Sequence, residues 1–252
     1  MPLRCAVTAI AIVCLLFLFA VHPPLSNAAD LALVYSGPGS AEDCPEALGK
    51  VIESIGLEVR YFEDPEELTG LLGAAVLLAV GGTDDNTLRL RKSFSEETVQ
   101  AIQRFAATGG RYCGICGGSY LASAFWRENG LVHGFSLAPV APDNFLDDPS
   151  PMLLPILWQK ETREMYYQLG PYFELLETDE PVEVLAWYED GSVAALICGY
   201  NQGKVLLSGP HPEAPRYWIE DDGLPVGGWQ SSIGRLQAAL QDLLSDRPLI
   251  CN

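Results

Sequence analysis

The sequence predicts an α/β fold in which a mostly parallel sheet lies between two layers of helices. Three observations lead to this prediction. Continuous apolar segments that end at glycines alternate with amphipathic segments over the first half of the chain. These apolar segments do not alternate with polar residues, which is typical of parallel strands covered on both faces. The second half contains short strand-like segments separated by turn residues, so we expect antiparallel hairpins late in the chain.

Residues 1–29 have the pattern of an export signal. Arg4 precedes an uncharged apolar run from Cys5 to Val21, and small residues at 26–29 supply a cleavage site after Ala28 or Ala29. We expect residues 30–252 to form a single domain, because that length fits one sizeable α/β unit. The expected protein is exported, periplasmic or secreted, with no stable membrane association after cleavage. An uncleaved N-terminal anchor is the alternative, since the run is nearly long enough to span a bilayer.

The net charge of the chain narrows the choice of partners. The chain has 33 acidic and 15 basic residues and a net charge of −18, so nucleic acid and anionic membranes are poor partners. Removal of Arg4 with the signal makes the mature chain one charge more negative.

The cysteines after the signal are Cys44, Cys113, Cys116, Cys198 and Cys251. An odd number in an oxidising compartment implies at least one unpaired thiol, and the pairing of the others stays open.

The first half of the mature sequence reads as a β-α-β-α-β series. Its elements are a strand at Leu31–Tyr35, a helix that ends at Gly56, a strand over 57–62, a short helix near 66–72, and a highly apolar strand over 75–80. The helix is indicated by apolar residues at helical spacing, Leu48, Val51, Ile52 and Ile55. The last strand ends at Gly81-Gly82, at the edge of the sheet where ligands gather in such folds.

The next predicted helix begins with a capping box formed by Ser93 and Glu96 and ends at Gly109-Gly110. A strand over 111–115 follows and leads directly to Cys116. A helix-compatible segment over 119–125 comes next, so Cys116 is expected on a tight turn from a strand into a helix.

The second half is less regular. The segment from Ala138 to Pro151 is rich in Pro and Asp and predicts a surface loop. Predicted hairpin strands then lie over 182–188, 193–198 and 205–207. A closing helix carries Ile233, Leu236, Leu240, Leu243 and Leu244 on one face.

Two short motifs at predicted strand ends point to one catalytic site. Cys116 lies within Gly114-Ile-Cys-Gly-Gly118, where a helix N-terminus behind the sulfur favours the thiolate. His211 and Glu213 follow the last buried strand, and residues two apart on an extended segment point to the same side. His211 is therefore the expected base for Cys116, with Glu213 to orient the imidazole. The other mature histidine, His133, has no carboxylate near it in sequence.

A thiol that attacks a carbonyl also needs donors for the oxyanion that forms. The backbone N–H of Gly117, directly after Cys116, is one expected donor. The second is expected from Gly81 or Gly82, at the end of a neighbouring strand, where the absence of a side chain permits close approach.

These residues resemble the class I glutamine amidotransferase-like superfamily, which joins a Gly-x-Cys-x-Gly elbow to a late His-x-Glu on a flavodoxin-like sheet. The closer resemblance is to the N-terminal domain of biotin-protein ligases, which also occurs alone in exported bacterial proteins. The segments that carry it are 34–39, 80–82, 109–120, 170–173 and 203–213. The resemblance implies a flavodoxin-like three-layer sandwich, with Cys116 as nucleophile, His211 as base and Glu213 as its orienter. Because no Gly-Arg-Gly-Arg loop for biotinyl-adenylate occurs, biotin attachment is not implied.

The sequence favours a thiol hydrolase that cleaves an amide or γ-glutamyl bond of a small molecule or peptide. Arg216, five residues after His211, is a candidate to hold a substrate carboxylate, although pairing with Glu220 on the surface is the ordinary alternative. Two other functions stay open, a binding module that keeps the pocket without turnover, and a redox pair formed by Cys113 and Cys116. No metal or organic cofactor is indicated.

Overall fold

A sheet of eleven strands carries the fold in the computed structural model, which describes residues 30–84 and 86–250. The expected signal over residues 1–29 and Cys251 lie outside the described residues. The strands are β1 (Leu31–Tyr35), β2 (Glu58–Phe62), β3 (Ala75–Val80), β4 (Arg111–Ile115), β5 (Phe125–Arg127), β6 (Leu131–His133), β7 (Val140–Asn144), β8 (Met152–Trp158), β9 (Glu161–Tyr167), β10 (Pro171–Leu175), β11 (Val182–Trp187), β12 (Val193–Tyr200) and β13 (Gly203–Ser208). β5 and β6 form a separate two-stranded sheet.

The helices alternate with strands in the first half of the chain and return at its end. They are α1 (Cys44–Ser54), α2 (Leu68–Leu71), α3 (Thr87–Ser93), α4 (Glu96–Ala107), α5 (Gly117–Ala122), α6 (Arg216–Asp221) and α7 (Ile233–Leu244). Short 3₁₀ turns at Pro65–Glu67 and Leu72–Ala74 flank α2. None of these helices is both long and apolar enough to cross a membrane.

The strand order joins a parallel half to an antiparallel half. β2, β1, β3, β4 and β13 run parallel in that order across the sheet. β12, β11, β8 and β9 continue it with antiparallel pairing, and β10 and β7 branch from β12. The predicted three-layer α/β fold with late antiparallel strands is confirmed. The antiparallel part is larger than the sequence indicated, because the pair β8–β9 and the pair β7–β10 both add to it.

Strand β1 shows why the predicted strands are apolar throughout. Ala32 and Val34 pack toward α1 and α7 on one face, and Leu33 and Tyr35 pack toward α4 on the other. All four side chains are fully buried. Successive side chains of a strand point to opposite faces, so a strand covered by helices on both sides has no polar position.

Three local predictions were wrong. Ser95, rather than Ser93, caps α4 and accepts a hydrogen bond from the backbone of Thr98 at 3.2 Å, because Ser93 already belongs to the preceding helix α3. The expected loop over 138–151 contains strand β7, since backbone pairing with β10 outweighs its polar composition. The helix after Cys116 stops at Ala122, and the chain turns at Ser123 into the separate hairpin β5–β6.

Candidate active site

Cys116 occupies a strained turn between β4 and α5. Its backbone has φ of 50° and ψ of −111°, a conformation that non-glycine residues seldom adopt. Its N–H donates to the Ser208 carbonyl at 2.8 Å, which ties the turn to the end of β13. Strain held in place by neighbouring structure is common at functional residues, and here it turns the Cys116 side chain toward the pocket.

The glycines around Cys116 make room rather than supply the positive φ. A side chain at Gly118 would overlap the Val80 carbonyl, and one at Gly117 would overlap the side chain of Thr83. A Cβ at Gly114 would lie 2.5 Å from the Gly118 oxygen. The three glycines therefore let β3, β4 and α5 approach closely enough to set the elbow.

His211 and Glu213 lie beyond the end of β13, next to Cys116. β13 and β4 are adjacent parallel strands, with Ser208 paired to Ile115, so the two motifs meet at one edge of the sheet. The backbone N–H of His211 donates to the Tyr166 carbonyl at 2.9 Å, which fixes the segment. His211 Nδ1 lies 2.8 Å from Glu213 Oε1. The structure thus brings together the three residues that the sequence nominated, and these residues are 8%, 4% and 1% exposed in chain order.

The charge of Glu213 controls the protonation of His211. Burial acts to lower the pKa of the imidazole, but the Glu213 carboxylate and a hydrogen bond with Cys116 outweigh it and raise the pKa to about 10. His211 therefore carries a proton at neutral pH. An imidazolium beside a thiol favours the thiolate, which is the nucleophilic form.

Two of the three glycines proposed for the oxyanion line the pocket. Gly82 and Gly117 do so, and Gly81 does not. The Gly81 carbonyl accepts a bond from Gly118 N at 3.1 Å, so Gly81 supports the elbow. Gly117 begins α5, where backbone N–H groups have no acceptor within the helix. A Cβ at Gly82 would lie 3.0 Å from the His211 ring, which shows how closely this backbone approaches the site.

These residues open onto a pocket of about 720 Å³. Five aromatic residues contribute to its wall, Tyr120, Trp126, Tyr166, Tyr217 and Trp218. The Tyr166 ring lies edge-on to His211 at 5.7 Å and to Trp218 at 5.4 Å between centroids. Tyr167 and Phe173, by contrast, belong to the core.

The pocket is strongly acidic. Seven of its twenty-four lining residues are Asp or Glu, a larger share than the 33 of 252 in the whole chain. They are Glu42, Asp43, Asp84, Glu128, Asp143, Asp221 and Asp222. Within residues 30–84 and 86–250, none of the seven forms an ion pair with a Lys or Arg side chain, and Arg127 is the one Lys or Arg among the lining residues.

Arg216 is not brought to the site. Its Nε donates to Glu220 at 2.7 Å along an exposed turn of α6, and it does not line the pocket. The surface pair is therefore what the structure shows. The neighbouring residues Tyr217 and Trp218 reach the pocket in its place.

Cys44 is the site residue that the sequence did not nominate. It is the first residue of α1, is 5% exposed, and lines the same pocket as Cys116. One available signal was its position shortly after β1, whose carboxyl end lies at the same sheet edge as the other motifs. Cys113 behaves differently, because it is fully buried in β4 and packs in the core. The four described cysteines are unpaired, and the proposed redox pair has no disulfide here.

Comparison with known proteins gives a family match. The family model described as biotin-protein ligase, N terminal, matches residues 32–127 and 152–238. No curated protein matches the chain in sequence.

Solved structures show the same fold at low sequence identity. A glutamine amidotransferase is 17% identical with a TM-score of 0.55, over 77% of this chain and 99% of that chain. Another, from Thermotoga maritima, is 13% identical with a TM-score of 0.58, over 86% and 99%. An exo-beta-1,4-mannosidase from an Opitutaceae bacterium is 12% identical with a TM-score of 0.51, over 87% of this chain and 37% of that chain. Proteins with such different descriptions share the fold, so function must be argued from the site.

Proposed function

Since the chain belongs to the biotin-protein ligase N-terminal domain family, within the class I glutamine amidotransferase-like superfamily, we propose that it is an exported thiol hydrolase of an amide or γ-glutamyl bond. The observation that carries the proposal is the chain of contacts from Cys116 through His211 to Glu213 at the floor of an open pocket. A nucleophile, a base and an orienting carboxylate in this order are the parts that acyl transfer requires.

In the proposed reaction, the Cys116 thiolate attacks the carbonyl carbon and the carbon–nitrogen bond breaks. The leaving nitrogen takes the proton from His211, and the acyl group stays on sulfur as a thioester. Water then gives a proton to His211 and attacks the thioester, which releases the acid and restores the thiolate. The N–H groups of Gly82 and Gly117 are the proposed donors to the oxyanion of each tetrahedral intermediate.

Glu213 contributes to the proposed reaction by holding the imidazole. Its bond to Nδ1 leaves Nε2 as the nitrogen that exchanges protons with sulfur and substrate. Burial of the pair keeps the carboxylate close to the charge that it stabilises, since water does not screen it.

The charge of the pocket favours substrates whose amine side is cationic. A pocket lined by seven carboxylates and one Arg attracts cations, so of the two proposed bonds it favours an amide with a cationic amine side over a γ-glutamyl bond, whose glutamyl part carries a free carboxylate. Among amide substrates, those that release a charged amine therefore fit the pocket better than anionic ones. The five aromatic residues add surface for the apolar part of such an amine.

The test is covalent labelling of Cys116 followed by turnover. The purified chain is treated with an electrophilic glutamine analogue and with a chloromethyl ketone that carries an amine, and adducts are measured by intact mass. One adduct is expected on the unmodified chain and none on Cys116→Ser, while Cys198→Ser is the matched control because Cys198 is fully buried away from the pocket. An unlabelled Cys116 in folded protein would contradict the proposal.

Turnover then separates the enzyme from the binding module. Release of amine from a panel of cationic, neutral and γ-glutamyl amides is followed for the unmodified chain and for Cys116→Ser. Hydrolysis lost in the variant supports the proposal. Ligand binding that survives in Cys116→Ala, with no hydrolysis of any amide, would favour the silent module.

A further inference from the structure

Cys44 forms a second cluster with two members of the site. The potential metal-ligating atoms of Cys44, His211 and Glu213 all lie within 4.8 Å of one another. Cys44 belongs to α1, whereas His211 and Glu213 lie in the segment after β13, so tertiary structure brings Cys44 to the other two. All three residues are buried, with Cys44 and His211 also lining the pocket.

Glu213 has one oxygen without a protein partner in this cluster. Oε1 is bonded to His211, but Oε2 is buried and has no hydrogen-bond donor among the described residues. A buried carboxylate oxygen without a hydrogen-bond donor lowers the free energy of unfolding by about 1–3 kcal/mol or more. The proposed hydrolysis does not use Oε2, so the atom is available to a ligand that carries positive charge.

The pocket above the cluster favours cations in the same way. Its seven acidic residues have no Lys or Arg partner among the described residues, and exposed carboxylates at a cleft mouth raise the local concentration of cations. The acidic residues at the mouth of the pocket and the unpartnered Glu213 oxygen at its floor are independent observations, and both favour binding of a cation.

We propose that Cys44, His211 and Glu213 bind one divalent cation of the zinc class at the floor of this pocket. The donor set is one sulfur, one imidazole nitrogen and one carboxylate oxygen, which suits a borderline-soft ion with tetrahedral geometry and a fourth position open to the pocket. Calcium and magnesium fit poorly, because they require six or more oxygen ligands. Ligand–metal distances of about 2.0–2.3 Å place ligand atoms within roughly 4 Å of each other, so the cluster needs little movement.

Binding of the cation releases two protons from the protein. The cation takes the place of the proton on the Cys44 thiol and of the proton that His211 shares with Glu213, and both protons pass to solvent. With the cation in place of the Nδ1 proton, release of the Nε2 proton to the substrate would leave an imidazolate instead of a neutral imidazole, so His211 is a much weaker acid toward the leaving nitrogen. The metal is therefore a reversible inhibitor of hydrolysis, a consequence that rests on the proposed function, whereas the binding itself does not.

The test uses Cd²⁺ and Zn²⁺ on the full chain after treatment with a chelator and a thiol reductant. Titration with Cd²⁺ is followed by the ultraviolet absorbance of the sulfur–cadmium bond, and Zn²⁺ affinity by competition with a chromophoric chelator. We expect one equivalent of metal for the unmodified chain. Cys44→Ser should lose at least tenfold in Zn²⁺ affinity and most of the absorbance.

Matched variants decide the assignment. Cys198→Ser and Cys116→Ser should keep the affinity within about threefold, and Glu213→Gln should lower it at least tenfold. Cys44→Ala replaces Cys44→Ser if circular dichroism shows that the latter does not fold. Metal binding unchanged in the Cys44 variant, or lost in Cys116→Ser alone, would overturn the site. Labelling of Cys116 is measured without metal, so the two tests are independent. Failure to bind metal would leave the proposed hydrolase standing, and failure to label Cys116 would leave the metal site standing.

Discussion

Substitution of Glu213 by Gln should destabilise the protein in a pH-dependent manner. The variant keeps the size of the side chain but removes the charge that raises the pKa of His211. His211 is 4% exposed, so solvent screens this interaction weakly. The rise of the pKa from 6.5 to about 10 corresponds to roughly 5 kcal/mol of gross interaction, at about 1.4 kcal/mol per pH unit. Loss of one partner of a buried ion pair costs about 3–5 kcal/mol.

The sign of the pH dependence follows from proton binding. The folded protein binds the His211 proton more tightly than the unfolded chain, so this proton stabilises the fold fully below about pH 6.5. The contribution falls as the pH rises and is gone above about pH 10. We therefore expect the unmodified chain to exceed Glu213→Gln in unfolding free energy by about 3–5 kcal/mol at pH 6. The difference should approach zero by pH 10.

Urea denaturation between pH 6 and pH 10, with chelator and thiol reductant present, measures this difference. Glu220→Gln is the matched control, because Glu220 pairs with Arg216 on an exposed helix turn and such pairs contribute about 0–1 kcal/mol. A difference for Glu213→Gln that stays constant across this pH range would refute the reasoning. Stability equal to that of the control at pH 6 would refute it as well.

Four further predictions concern the elbow, a helix cap, the substrate and export. Gly118→Ala should destabilise the protein by several kcal/mol in urea, because its Cβ would overlap the Val80 carbonyl, while Gly70→Ala, with open space around it, should be neutral or stabilising by up to about 1 kcal/mol. Ser95→Ala should cost about 1 kcal/mol in thermal unfolding, and Ser93→Ala less, since only Ser95 caps α4. Asp143→Asn should lower kcat/KM for a cationic amide a few-fold at low salt and leave a neutral amide unchanged, and equal effects on both would contradict the role given to the acidic pocket. Expression with residues 1–29 should yield an extracytoplasmic protein whose N-terminus is Ala29 or Asp30, and N-terminal sequencing that finds Met1 instead would favour the anchor.

The sequence alone determined the parallel half of the fold and the three residues of the nominated site. Strands such as Leu31–Tyr35 and Ala75–Val80 were predictable because strands buried on both faces need apolar residues at every position. Cys116 and His211 were predictable because glycines and strand ends mark them locally. The meeting of Cys116 with His211 followed from the rule that adjacent parallel strands end at the same edge.

Tertiary structure decided the features whose causes lie far apart in the chain. Strand β7 forms in a Pro- and Asp-rich segment because β10 supplies its hydrogen-bond partners, which no local pattern reveals. Cys44 joins His211 and Glu213 only through the packing of α1 against the sheet edge. The acidity of the pocket arises from Asp and Glu residues that come from several separate segments of the chain. The strain at Cys116 likewise depends on Val80, Thr83 and Ser208. Local propensity acts over a few residues, whereas these contacts join segments up to about 170 positions apart, so only the folded chain specifies them.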